Sequence, residues 1–174
     1  MNQTKDLTQI CQLAKKLGAK HAQIVDVDKV VVGNWVRMKC QYGCARYGKK
    51  LTCPPYTPTP DEFRRVLDGY SLAILLRFEP QTRDDFKTPT SVVTQLEREA
   101  FLLGYHSAFG LGFSTCYYCT ECTFEGCIHP ELARPSMEAC GIDVYTTVRN
   151  MGFNLNVVKN RDEQANFFGL LLVK

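Results

Sequence analysis

The chain has 174 residues, 45% of them hydrophobic and 22% charged, the size and balance of one ordinary globular domain. Its formal charge is +3, from 21 Lys and Arg against 18 Asp and Glu, too small to argue for a nucleic-acid or membrane partner. The longest apolar run, Phe167 to Val173, is too short to span a bilayer, and Met1 to Leu7 holds no signal-peptide core, so the expectation is a soluble cytoplasmic protein.

Apolar positions at Leu7, Ile10, Cys11, Ala14 and Leu17 have helical spacing, and Gly18 is placed to end that helix. Ala22 to Val32 is β-branched and partly alternating, which predicts one or two strands. Asp61 to Leu67 predicts a short helix after Pro58 and Pro60, and Tyr70 to Phe78 a buried strand. Glu79 to Thr90, with Pro80 and Pro89 among charges, reads as a surface loop. Ser91 to Leu103 is an amphipathic helix stopped by Gly104. Ser107 to Ser114 reads as a strand, and Asp143 as the cap of a helix that runs to Met151 and ends at Gly152. Phe153 to Val158 and Asn166 to Val173 are expected to form a terminal hairpin. This order lacks strict βαβ alternation. It predicts a single α+β domain over residues 1–174, with a mixed or antiparallel sheet, packed helices and two cysteine-rich loops that follow strands.

The unusual feature is nine cysteines. An odd count without an export signal argues against a disulfide scaffold. So does the run Cys116, Cys119, Cys122, because three thiols within seven residues cannot all reach distant partners. In a reducing compartment such thiols are metal ligands or catalytic groups.

The second clump has the spacing C-x2-C-x2-C-x4-C through Cys116, Cys119, Cys122 and Cys127. Each two-residue spacer lets the next sulfur turn inward around a compact inorganic body. The bacterial ferredoxin run is C-x2-C-x2-C-x3-C-P; here the last gap is one residue longer and Pro130 comes three residues after Cys127. Zinc is the rival, although zinc ribbons usually bring two separate C-x2-C pairs. Four cysteines interleaved with Thr120, Glu121, Thr123, Glu125 and Gly126 do not make a core pattern.

The first clump is C-x3-C-x8-C through Cys40, Cys44 and Cys53. Gly43 and Gly48 permit tight turns, and Pro54 and Pro55 fix the exit and withhold amide donors. Only three cysteines are local. Cys140 is the best candidate for a fourth ligand and Cys127 a second; otherwise the site stays open to a substrate. A [4Fe-4S] centre with four thiolates carries about −2, so two would bring the formal +3 to about −1. Arg37, Lys39, Arg46, Lys49 and Lys50 around this clump would offset that charge, face an acidic partner, or form a solvated basic face.

Three pieces of sequence then carry a resemblance: Cys40 to Pro55 with Tyr47 and Gly48, Cys116 to Glu131 with His129 and Pro130, and Arg134 to Val144 with Cys140 and Gly141. Together they resemble a microbial family of cysteine-rich predicted metal-binding proteins, common in anaerobes and methanogenic archaea. The resemblance implies metal binding, and iron–sulfur in particular, without implying a reaction.

Of the remaining candidates, His129 is expected to shield the second site or bond a carbonyl, Cys11 to be core, and Tyr117 and Tyr118 to exclude water or pack. Glu138 and Asp143 are conceivable acid/base groups, with capping and surface roles the plainer expectation. Gly110-Leu111-Gly112 lacks the third glycine of a dinucleotide fingerprint. The leading expectation is an iron–sulfur protein with two [4Fe-4S] sites that exchanges electrons with a redox partner. The alternatives are an enzyme with an open site at Cys40, Cys44 and Cys53, and a structural zinc adaptor.

Overall fold

The structure is a computed structural model and describes residues 3–80, 88–160 and 163–174. Its elements run α1 (Gln3–Lys16), β1 (His21–Asp26), α2 (Asn34–Gly43), α3 (Pro60–Leu67), β2 (Leu72–Phe78), α4 (Thr88–Leu102), β3 (Phe109–Leu111), α5 (Val144–Asn150) and β4 (Phe167–Leu172). Two 3-10 turns, Val27–Lys29 and Glu138–Cys140, complete them.

The four strands form one sheet in the order β1-β2-β4-β3. All three pairings are antiparallel, with Ile24 opposite Ile74, Ile74 opposite Leu171 and Gly110 opposite Leu171. β2 and β4 are apolar at nearly every position because both faces of the sheet are covered. One face, carrying Ile74, Leu76, Phe78 and Leu171, packs on Leu7, Ile10 and Ala14 of α1 and on Val93, Leu96 and Ala100 of α4. The other, carrying Ala73, Leu75, Leu170 and Leu172, packs on Phe63 and Leu67 of α3, Val148 of α5 and the segment Met137, Cys140 and Ile142. The protein is therefore α+β, with helices on both sides of an antiparallel sheet.

The caps explain several boundaries. Thr59 and Glu62 form a capping box at α3, with Pro60 inside the first turn. Asp143 caps α5, its carboxylate accepting from the Thr146 amide at 3.1 Å. Gly110 serves packing, since a Cβ there would collide with Val93 of α4.

Three expectations need correction and one is narrowed. Phe153 to Val158 is not a strand: both edges of β4 are already paired, by β2 and by β3, so a terminal hairpin has no edge to use. Phe153 instead packs its ring against His21 and Phe168. Of the one or two strands expected over Ala22 to Val32, one forms, β1, followed by a 3-10 turn. α4 begins at Thr88, ahead of the expected start at Ser91; residues 81–87 of the expected surface loop lie outside the described residues. Finally, the first clump begins within a helix, α2, which holds Cys40 and is capped by Cys44, and does not follow a strand.

Candidate metal centre

One segment, residues 135–143, organises both cysteine clumps. On one side Val32 bridges Ile142 in an antiparallel sense, with the Gly33 amide donating to the Gly141 carbonyl and the Asp143 amide to the Val31 carbonyl. That clamp sets α2 beside the Glu138–Cys140 turn. On the other side Gly112 bridges Ser136; the Gly112 amide donates to the Pro135 carbonyl and the Met137 amide to the Gly112 carbonyl. Residues 113–134 are thus an excursion with both ends pinned at one place.

The excursion is pinned a second time. Glu97 of α4 accepts from Arg134 through Nε at 2.7 Å and Nη2 at 2.6 Å, and the same carboxylate accepts from the Gly110 amide at 2.7 Å. Both side chains of this bidentate pair are only about 15% exposed. Hydrogen bonding to Glu97 raises the Arg134 pKa, locking it as a cation.

Cys40, Cys44 and Cys53 line one cavity of about 300 Å3, together with Tyr117, Ser136 and Glu138. This is the low end of the roughly 300–1,000 Å3 of small-ligand sites. α2 supplies Cys40, its C-terminal cap supplies Cys44, and the following loop supplies Cys53. The Thr57 hydroxyl donates to the Ala139 carbonyl at 2.6 Å, which fixes that loop on the central segment. Cys40 Sγ lies 3.9 Å from the Glu138 carbonyl oxygen, and Cys53 Sγ lies 3.4 Å from the Thr115 hydroxyl. Burial, then the neighbouring Cys44, pushes the Cys40 thiol up to about 11. Burial also pushes Cys53 up, partly offset by the Thr115 hydroxyl. Thiolates become favourable at such a place only when a cation arrives.

In the second clump, burial raises the Cys116 pKa, while a hydrogen bond from the Tyr118 backbone amide and the charge of Lys50 work against it. Cys119 and Cys122 are close enough to act on Cys116 electrostatically, and Cys122 acts on Cys53 as well. The two clumps therefore meet at Cys53 and Cys122. Lys50, expected on a basic face, is buried at 3% exposure. Its ammonium donates to the carbonyls of Cys119 at 2.5 Å and Thr120 at 3.0 Å, tying the first loop to the second. The Tyr118 hydroxyl is buried without a hydrogen-bond partner, and its ring faces His129 at 6.1 Å between centroids.

The other two candidates stand elsewhere. Cys127 lines a different pocket, with Leu51, Tyr56 and Pro130. Cys140 is 1% exposed within the apolar core, and burial pushes its thiol up to about 12. Cys11 is core, as expected. Among the described residues no three His, Cys, Asp or Glu side chains are close enough to hold a single metal ion. No helix is long and apolar enough to cross a membrane.

Residues 23–173 match the family described as predicted metal-binding protein (DUF2284). The chain belongs to this family. The match bears out the resemblance carried by the cysteine motifs, and it covers every cysteine but Cys11. No curated protein and no solved structure matches the chain. For this DUF2284 protein the donor set fits a thiolate-bound metal group. Three thiols line a cavity, and three more sit in a loop beside the buried cation of Lys50, a soft donor set of the kind that binds metals.

The sequence did not reveal the role of Thr115, the burial of Lys50 or the place of Glu138 on the cavity wall. The Arg134-to-Val144 motif marks this platform in the sequence, without showing how it holds the two loops.

Proposed function

We propose that the protein carries two [4Fe-4S] clusters and exchanges single electrons with a redox partner. Cys40, Cys44 and Cys53 would hold the first cluster, and Cys116, Cys119 and Cys122 the second, with Cys127, by its spacing in the sequence, brought in as fourth ligand from the neighbouring pocket that it lines. The observation that carries this reading is that Cys40, Cys44 and Cys53 line one cavity against the 135–143 segment, while the second clump lies on an excursion pinned to the same segment. Such clusters accept and release one electron at a time, at a potential set by charge, sulfur hydrogen bonds and exposure. The chain's part is to bury the sulfurs, to donate to Cys116 from the Tyr118 amide, and to place Lys50 against the second loop.

Thiol spacing favours this over zinc. The run C-x2-C-x2-C through Cys116, Cys119 and Cys122 is that of ferredoxins, whereas zinc ribbons usually bring two separate C-x2-C pairs. The test is anaerobic absorption and electron paramagnetic resonance. Broad absorption near about 400 nm that bleaches on reduction is expected; a colourless, zinc-loaded protein would refute it.

A second reading has its own support. Cys140 sits in the core while Cys40, Cys44 and Cys53 line an open cavity, which favours an enzyme that binds a small substrate at the first cluster. A change in the reduced spectrum on adding small ligands would separate it from plain electron transfer.

A further inference from the structure

The cavity at Cys40, Cys44 and Cys53 has a fourth donor that is not a cysteine. Glu138 is part of its wall. The residue keeps partial exposure, but its Oε2 is fully buried and has no hydrogen-bond partner. Its backbone carbonyl faces Cys40 Sγ at 3.9 Å, and its carboxyl is near enough to both Cys40 and Cys140 to act on them electrostatically. The Ser136 hydroxyl and the residue's own amide hold the carboxyl in place. The backbone explains why Glu138 and not Cys140 is available. Both lie on one 3-10 turn, where successive residues are about 120° apart, so side chains two positions apart cannot face the same way. Cys140 takes the core direction, and Glu138 is left on the cavity wall.

A buried carboxyl oxygen with no partner is destabilising on its own. A metal group held by the three neighbouring thiolates would satisfy it. We propose that Glu138, through its carboxylate, is the fourth protein ligand of the group bound by Cys40, Cys44 and Cys53. This rests on the reading of that triplet as a cluster site. Binding takes the carboxylate form, and the carboxyl proton leaves to solvent. A single oxygen among thiolates is a harder and weaker donor for iron. It makes that corner the one a small anionic or neutral ligand would displace.

The experiment uses the full chain, reconstituted anaerobically, as wild type and as E138Q, E138A, C140A and the triple variant C40S/C44S/C53S. Iron and sulfide are counted, and spectra are recorded after reduction and after mild oxidation with ferricyanide. The expected result is that the triple variant loses about half of the iron. E138Q and E138A keep the second cluster, which reports the fold, but shift the first cluster's reduced spectrum and lose about one iron per chain on oxidation. C140A does neither. Unchanged iron and spectra in both Glu138 variants, with half the iron still lost in the triple variant, would overturn Glu138 as a ligand and leave the cluster reading intact. Full iron in the triple variant would overturn the cluster reading itself. Loss of one iron in C140A but not in E138Q would assign the fourth position to Cys140.

Discussion

The two cysteine regions solve the same problem with different architecture. The first draws its thiols from a helix, its cap and a loop, and gathers them on a cavity wall. The second keeps its thiols on one continuous excursion and relies on the pins at its two ends, Gly112 against Ser136 and Arg134 against Glu97. Spacing along the chain therefore describes the second region well and the first poorly. The first is defined by what packs opposite it, above all the Glu138–Cys140 turn. The difference teaches that a cysteine's place in a motif and its place in a site are separate facts. Cys140 and Glu138 belong to the same motif, yet Cys140 sits in the core and Glu138 stands in the wall.

This contrast can be broken in steps. The largest effect is expected from removing one region's thiols. C116S/C119S/C122S should remove the other half of the iron and leave the first cluster's reduced spectrum in place, as read by iron assay and electron paramagnetic resonance. Loss of all iron from that variant would mean that the regions form a single site. Next is the pin: Arg134→Ala strands a mostly buried carboxylate, and urea unfolding should show a loss of about 3 kcal/mol, accompanied by loss of the second cluster before the first. A smaller effect is expected from Lys50→Met. It keeps the bulk of the side chain but frees the Cys119 and Thr120 carbonyls, costing about 1–3 kcal/mol. Loss of the cation should lower the second cluster's potential by on the order of tens of millivolts, and redox titration should leave the first much less changed.

The smallest effect concerns Cys140. Its thiol is raised from 9.0 to about 12 by burial, so the neutral thiol is the form the fold favours. That contribution is whole below pH 9 and fades as pH rises toward 12. Cys140→Ala should therefore cost about 1–2 kcal/mol at neutral pH through the cavity it leaves and flatten the alkaline loss of stability, without changing iron content.

Much of the fold was legible because its signals are local. Gly18, Gly104 and Gly152 follow α1, α4 and α5 with positive φ, Asp143 caps α5, and the apolar run of β2 marks a strand covered on both faces. α2 was not legible, because only Val36 of its ten residues is buried and its apolar periodicity is correspondingly faint. The hairpin misreading has the same root: 153–158 has strand-like composition, but pairing depends on which edges are already taken. At the site, thiol spacing marked which residues carry chemistry. It could not reveal the phase of a 3-10 turn, which sends Cys140 into the core and leaves Glu138 on the cavity wall, nor the burial of Lys50, which depends on carbonyls about seventy residues away in the chain, those of Cys119 and Thr120.

The most direct test of two thiolate-bound clusters is a count of iron, acid-labile sulfide and zinc per chain in protein purified without exposure to air. About eight irons with eight sulfides are expected. Stoichiometric zinc without sulfide would contradict it.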